Sequence, residues 1–136
     1  MDVIGDITAI RNPLPRPGEV TPADCYPDAY DQAERARAED TADLQAQCEA
    51  LEEDPLVLAL GGARARKEAA DREIRLLLAY GREFHGRRPY PLEDLAAASG
   101  MSFSGVRTAY TDTDVETVAR FLDRAPDGRR AQASSS

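Results

Sequence analysis

The chain has little of the chemistry on which enzymes, metalloproteins and membrane proteins depend. Its 136 residues include no Trp, one His, two Met and two Cys. No apolar run approaches the roughly 18 residues of a membrane-spanning helix. His85 alone offers a metal at most one nitrogen ligand, is expected to lie at the surface, and is accompanied by no nucleophile motif. We therefore expect no enzymatic activity, no metal, no cofactor and no membrane insertion.

The cysteines and the first residues indicate a cytoplasmic protein. Cys25 and Cys48 are too far apart in sequence for a zinc-binding or redox pair, so we expect free thiols. The first residues are acidic, whereas an export signal begins with basic residues followed by a long apolar stretch. We expect no export signal.

Charge is distributed unevenly along the chain. The net charge is −8, but residues 1–60 carry 14 acidic residues against four arginines, a net −10, and residues 61–136 carry 11 acidic against 13 basic residues, a net +2. Nucleic-acid binding needs basic residues to meet the phosphates. The second half is therefore the only part of the chain where such binding is expected, and with modest affinity.

The first half contains two segments of different composition. Residues 1–27 hold five of the nine prolines, which predicts a flexible, disordered arm. Residues 28–54 are rich in helix formers and predict a long acidic helix, whose thin apolar stripe is interrupted at Arg37 and Asp40. The possibility that residues 28–60 bind a second copy of the chain or another protein remains open. Whether this acidic region is inhibitory, dimerising or merely solvated also remains open.

Residues 55–124 have the periodicity of a helical domain. Pro55 opens a helix that Gly61 and Gly62 are expected to end or bend. Residues 63–84 predict a scaffold helix with an inward stripe. Thr113 and Glu116 have the spacing of a capping box for a closing helix that ends near residue 124, and residues 125–136 predict a flexible tail. The inward stripe of the scaffold helix is expected to contain Ala70, Ile74, Leu77, Leu78 and Phe84.

Residues 91–111 have the spacing of two short helices joined by a tight turn. Pro91 can occupy the first turn of a helix, where its missing N–H costs nothing. Gly100 readily takes the left-handed conformation that ends a helix, and Ser102 can cap the next one. On that second helix Val106 and Ala109 face inward. The residues expected to face outward are Ser102, Phe103, Ser104, Arg107, Thr108 and Thr111.

This segment resembles the helix-turn-helix DNA-binding superfamily. The residues that carry the resemblance are Leu95 and Ala96, Gly100 four residues after Ala96, and Val106 six residues after Gly100. The closest similarity is to the region 4-like domain of bacterial sigma factors and related small regulators, over residues 65–124. The chain departs from that pattern at Phe103, which is bulky and apolar, and at Gly105.

The resemblance implies that the second helix enters the major groove of double-stranded DNA while the first crosses the backbone. It implies sequence-specific binding, transcriptional regulation and a location at the bacterial nucleoid. The residues implied to contact DNA are Ser102, Phe103, Ser104, Arg107, Thr108 and Thr111, with Arg87 and Arg88 on flanking phosphates.

The predicted fold is all-α, a helix-turn-helix bundle of about four to five helices with a long acidic N-terminal helix and a disordered N-terminal arm. An alternative function is a protein–protein adaptor. It would keep the helix-turn-helix as a scaffold and use the acidic N-terminal region to bind a regulator or a polymerase subunit.

Overall fold

The computed structural model describes residues 1–127, and this part of the chain is all-α, without a β-strand. It contains a short 3₁₀ turn at Ala23–Cys25 and six α-helices, against the four to five expected. The additional element is the N-terminal helix. The helices are α1 (Val3–Arg11), α2 (Tyr26–Leu51), α3 (Pro55–Glu83), α4 (Leu92–Ser99), α5 (Phe103–Ala109) and α6 (Asp112–Leu122).

The chain divides into two compact units, Met1–Ala65 and Arg66–Ser136, whereas the sequence placed a boundary between residues 54 and 55. The division falls inside α3, which is uninterrupted. Gly61 and Gly62 do not end it, and neither has the positive φ of a helix-ending glycine. Each glycine costs about 1 kcal/mol relative to alanine in a helix, and the good helix formers on both sides carry the helix across them.

The N-terminal segment is not disordered throughout, as the sequence predicted, because Val3–Arg11 forms α1. All five prolines of residues 1–27 follow this helix, so they do not interrupt it. The Asp2 carboxylate accepts a hydrogen bond from the backbone N–H of Gly5 at 2.9 Å and caps the helix. Ile7 and Thr8 are buried, and the Thr8 and Thr41 hydroxyls are hydrogen-bonded at 2.9 Å, which joins α1 to α2.

The two polar residues that interrupt the apolar stripe of α2 bind the end of α1. Asp40 accepts a hydrogen bond from the guanidinium of Arg11 and another from the side-chain amide of Asn12, both at 2.9 Å. The guanidinium of Arg37 donates to the backbone carbonyl of Asn12 at 3.0 Å. Leu44 is the buried apolar anchor of α2. The interruption in the stripe is therefore a docking site for α1.

The second unit surrounds one apolar core. Leu78 and Phe84 are buried as expected, but Ala70, Ile74 and Leu77 are exposed although the stripe predicted them inward. The elements that follow α3 in this unit cover the face that carries Leu78 and leave the adjoining face uncovered. The core residues are Leu78, Ala79, Phe84, Ala96, Val106, Tyr110, Val115 and Val118.

The closing helix α6 begins earlier than predicted. Its capping box is formed by Thr111 and Asp114, not by Thr113 and Glu116. The Asp114 carboxylate accepts from the backbone N–H of Thr111 at 3.0 Å. Buried Tyr110 ends α5 in extended backbone, so the next residue is already placed as an N-cap.

The chain after α6 returns to the end of α3. The backbone N–H of Asp127 donates to the carbonyl of Glu83 at 2.8 Å, and the Asp127 carboxylate accepts from the backbone N–H of Gly86. The Arg124 guanidinium donates to the carbonyl of Phe84 at 3.3 Å. Residues 125–127 are thus anchored, contrary to the predicted tail. The remainder of that tail, residues 128–136, lies outside the described residues.

Candidate nucleic-acid interface

Helix α4 lies on the second unit's core through small and branched side chains. Ala96 is buried, and Leu92 and Leu95 pack against the core. A Cβ at Gly81 of α3 would lie 3.4 Å from both terminal methyls of Leu95, so the Leu95 side chain of α4 packs directly over this glycine. Pro91 is the N-cap, with extended ψ of 140°, so it precedes the first turn of α4 instead of occupying it as the sequence predicted.

The turn between α4 and α5 has the backbone conformation that its residues predict. Gly100 has φ of 72°, in the left-handed region, and its N–H donates to the carbonyl of Ala96. The N–H of Met101 donates to the same carbonyl at 3.1 Å. The Ser102 hydroxyl accepts from the N–H of Gly105 at 3.0 Å and caps α5. Three residues therefore fix the direction in which α5 leaves α4.

One buried residue sets the rotation of α5. Val106 has no exposed surface, so the opposite face of the seven-residue helix points to solvent. Phe103 is 53% exposed. The predicted contact residues that this rotation leaves exposed on the cap and on α5 are Ser102, Phe103, Ser104, Arg107 and Thr108.

The polar side chains on this face differ in how they are engaged. The Thr108 hydroxyl donates to the carbonyl of Ser104 at 2.9 Å, which leaves its oxygen able to accept a further hydrogen bond. The Ser102 and Ser104 hydroxyls lie 3.3 Å apart. Within residues 1–127 the Arg107 guanidinium makes no hydrogen bond or ion pair, so all its donors are available.

Thr111 does not lie on α5 with the others. Its backbone is extended, with φ of −116°, and it is the N-cap of α6. Its hydroxyl accepts from the N–H of Asp114 at 3.4 Å. Thr111 remains exposed, but its side chain is used to cap α6. Sequence reasoning had placed it with the DNA-contacting residues of α5.

Arg87 and Arg88 are exposed in the turn between α3 and α4. Hydrogen bonds at Tyr90 help to hold this turn: its N–H donates to the carbonyl of Gly81 at 3.0 Å, and its carbonyl accepts from the Arg82 guanidinium at 2.9 Å. In the described residues, no hydrogen bond or ion pair links this turn to α5. Arg87 lies five residues and Arg88 four residues before Leu92, the first residue of α4.

His85 is a packing residue and not the surface residue that sequence reasoning expected. Its ring lies edge-on to Tyr80 and Tyr90, with centroids 4.8 and 4.7 Å apart. Its Nε2 atom is buried without a hydrogen-bond partner. Through its contact with Tyr90, the His85 ring therefore supports the turn that contains Arg87 and Arg88.

The helices before and after α5 each carry acidic side chains in their first turn. Glu93 and Asp94 are exposed in the first turn of α4. At the start of α6, the Asp114 carboxylate lies 3.8 Å from the Arg75 guanidinium, so that arginine neutralises part of the charge there. Residues 61–136 carry a net charge of only +2, which limits the attraction of any polyanion.

Sequence reasoning missed a buried, hydrogen-bonded pair of side chains at the ends of α3 and α5. The Tyr110 hydroxyl donates to the Glu83 carboxylate at 3.0 Å, and both residues are buried. The pair joins the end of α5 to the end of α3. Glu83 has no local signal that separates it from the solvated glutamates of α3, because its partner is 27 positions away.

Among residues 1–127, no group of three or more His, Cys, Asp or Glu side chains is arranged to hold a metal ion. None of the helices in that range combines the length and the apolar composition needed to span a membrane. Comparison of the chain with protein-family models, with curated proteins and with solved structures returned no match.

Proposed function

We propose that the protein binds double-stranded DNA sequence-specifically, with α4 and α5 acting as a helix-turn-helix and the chain serving as a transcriptional regulator at the bacterial nucleoid. The observation that carries this proposal is the exposed face of α5, where polar side chains and an uncommitted arginine are presented by a helix anchored at buried Val106. In such motifs the second helix lies in the major groove and the first crosses the backbone.

The exposed groups have the chemistry of base readout. The Arg107 guanidinium can donate two parallel hydrogen bonds to the O6 and N7 atoms of guanine. The hydroxyls of Ser102, Ser104 and Thr108 can bond bases or phosphates, and the Phe103 ring can pack on a thymine methyl. Gly105 in the middle of α5 is supported by the Ser102 cap, which binds its N–H.

Residues outside α5 would contact the phosphate backbone of the DNA. Arg87 and Arg88 are exposed beside the start of α4, where a helix that crosses the backbone would bring phosphates close. Thr111, exposed as the N-cap of α6, would donate the O–H of its capping hydroxyl to a phosphate oxygen. The near-neutral charge of residues 61–136 implies modest affinity with a clear salt dependence.

The test is a fluorescence-anisotropy titration of labelled DNA selected from a random or genomic pool by the full chain. Arg107→Ala is expected to weaken binding by about 5- to 150-fold, since a bidentate arginine–guanine pair contributes roughly 1–3 kcal/mol of discrimination, and to relax the preference at one base pair. Arg72→Ala is the matched control, because Arg72 is also an exposed helical arginine but lies on α3. It should leave binding and base preference unchanged.

Two results would reject DNA binding through α5. One is the absence of salt-dependent binding to any DNA in the selected pool. The other is Arg107→Ala binding with wild-type affinity and unchanged base preference. Circular dichroism of each variant separates a lost contact from a lost fold.

A protein–protein adaptor is the second candidate, favoured by the acidic surface of α2. This surface is exposed along most of the helix, and residues 1–60 carry a net −10. Such a surface suits a basic patch on a regulator or a polymerase subunit. Its exposed carboxylates include those of Asp28, Asp31, Glu34, Glu39, Asp43 and Glu49.

Capture from lysate with and without nuclease treatment separates the two candidates. The adaptor predicts that the full chain retains a defined protein without DNA, and that neutralising Glu39 and Asp43 as glutamine and asparagine releases it. Retention that depends on DNA and on Arg107, and not on those carboxylates, rejects the adaptor.

A further inference from the structure

Helix α3 has an uncovered apolar face with a heptad spacing. Seven positions recur at alternating intervals of four and three residues, which is the a and d pattern of a coiled coil. We name this face the α3 seam; it consists of Leu56, Leu60, Ala63, Lys67, Ala70, Ile74 and Leu77. Gly61 and Gly62 fall on the opposite, outer positions of the heptad.

The α3 seam is exposed within the chain. Leu60 is 62% exposed and Leu77 is 57% exposed. In the second unit, the core takes Leu78 and Phe84 from the adjoining face and leaves Ile74 and Leu77 outside it. An apolar heptad face on a 29-residue helix is typical of a surface that pairs with another helix.

We propose that the chain forms a homodimer in which the α3 seams of two copies pack antiparallel. The occupant of the seam is identified by the charges that flank it. The g positions of the heptad hold Arg66 and Glu73, and the e positions hold Arg64 and Asp71. Each pair contains one cation and one anion seven residues apart.

In an antiparallel pair, a positions face d positions of the other helix, and like-named flanking positions meet. With Lys67 opposite Ala70 of the second copy, Leu60 lies opposite Leu77 and Ala63 opposite Ile74. The same alignment places Arg66 beside Glu73 of the second copy and, on the other side, Arg64 beside Asp71. The flanking charges are thus self-complementary about one twofold axis, as a symmetric interface requires.

A parallel pair has less of this complementarity, because Arg66 alone would meet an opposite charge, that of Asp71, and Glu73 would face Leu78. Identical positions would face each other, so the two Lys67 ammonium groups would meet inside the apolar seam. Like charges placed directly opposite oppose association. In the antiparallel pair, each Lys67 faces an alanine, and its stem can extend towards solvent. The charge pattern therefore selects the antiparallel arrangement.

One end of the α3 seam adjoins an apolar hollow in the second unit. The hollow has a volume of about 180 Å³ and is open to solvent. In the antiparallel alignment, Leu60 of the second copy meets Leu77 at its edge and fills it as a knob fills a hole. Its walls are formed by Ile74, Leu77, Leu78, Leu95, Ala98 and Ser99.

Analytical ultracentrifugation of the full chain over micromolar concentrations tests the proposal. The wild-type protein is expected to sediment with about twice the 14.8 kDa mass of one chain. Leu60→Glu and Leu77→Glu should each give the single-chain mass, with helicity by circular dichroism otherwise retained. Leu51→Glu is the matched control, since Leu51 is 64% exposed but lies on α2, and it should remain dimeric.

A charge exchange tests the orientation. Arg66→Glu and Glu73→Arg should each raise the dimer dissociation constant by at least tenfold, and the double variant should return it to near the wild-type value. A parallel dimer would not show this rescue, because Arg66 would then face Asp71 of the other copy. A wild-type monomer, a dimeric Leu60→Glu variant, or a double variant without rescue would overturn the proposal. None of these masses depends on whether the protein binds DNA.

Discussion

The buried pair of Tyr110 and Glu83 allows one stability effect to be worked out from the structure. Tyr110 is 7% exposed and Glu83 6% exposed, and the hydroxyl donates to the carboxylate at 3.0 Å. Tyr110→Phe removes a single oxygen and preserves the ring, so it creates almost no cavity. Its main consequence is a buried carboxylate without its donor.

The size of the effect follows from the charge of the acceptor. Hydrogen bonds to charged groups contribute about 1.5–3 kcal/mol, and an unsatisfied buried group costs a similar amount. Tyr110→Phe is therefore expected to lower the free energy of unfolding of the second unit by about 1.5–3 kcal/mol. The loss should be absent for Tyr90→Phe, the same chemical change at a half-exposed tyrosine.

Urea unfolding followed by circular dichroism, together with amide hydrogen exchange, measures the effect where it acts. The amides of Val106 and Val118, in the core of the second unit, should lose protection by about ten- to 150-fold, the equivalent of 1.5–3 kcal/mol. The amide of Leu44, in the first unit, should be unaffected.

A double variant tests whether the loss of stability comes from the unpaired carboxylate, in addition to how large the loss is. Replacing both partners with apolar side chains, as Tyr110→Phe with Glu83→Met, should recover most of the stability, since the carboxylate that loses its donor is then removed as well. Wild-type stability of Tyr110→Phe, or an equal loss in Tyr90→Phe, would refute the reasoning. So would a double variant less stable than either single one.

Three other substitutions have expected outcomes. Gly100→Ala places a side chain at φ of 72° and should lower the unfolding free energy by about 1–2 kcal/mol in a urea titration. Gly61→Ala adds a side chain in open space within α3 and should raise the unfolding free energy by up to about 1 kcal/mol. Equal effects of the two changes would contradict this account. Arg87→Ala with Arg88→Ala should reduce the slope of log K against log salt by about 1.8, at about 0.9 per lost phosphate contact, without altering base preference; an unchanged slope would remove these residues from the interface.

The features predicted correctly are those set by neighbouring residues. Gly100 ends α4 because a positive φ is required there, and Ser102 caps α5 because its hydroxyl reaches an N–H three residues on. Val106 is buried because it lies at the helical spacing of the core. Each of these outcomes depends on fewer than ten consecutive residues, so the sequence contains the information in readable form.

The features predicted wrongly depend on distant partners. α1 looked like part of a disordered arm because its support comes from Thr41 and Asp40, about 30 positions later. Glu83 was missed for the same reason, since its partner Tyr110 is 27 positions away. The capping box was ambiguous, since Thr111 and Thr113 both precede an acidic residue by three positions, and only the burial of Tyr110 decided between them.

The return of the chain to the end of α3 has a consequence for how the protein can be cut or extended. The carbonyls of Glu83 and Phe84 would lack an intrahelical partner, and Asp127 and Arg124 provide theirs. Any fragment that stops at the last residue of α6 discards these donors and frays the very helix against which α4 packs. Position 127 is therefore the earliest stop for an intact second unit, and a fusion partner is best attached after it.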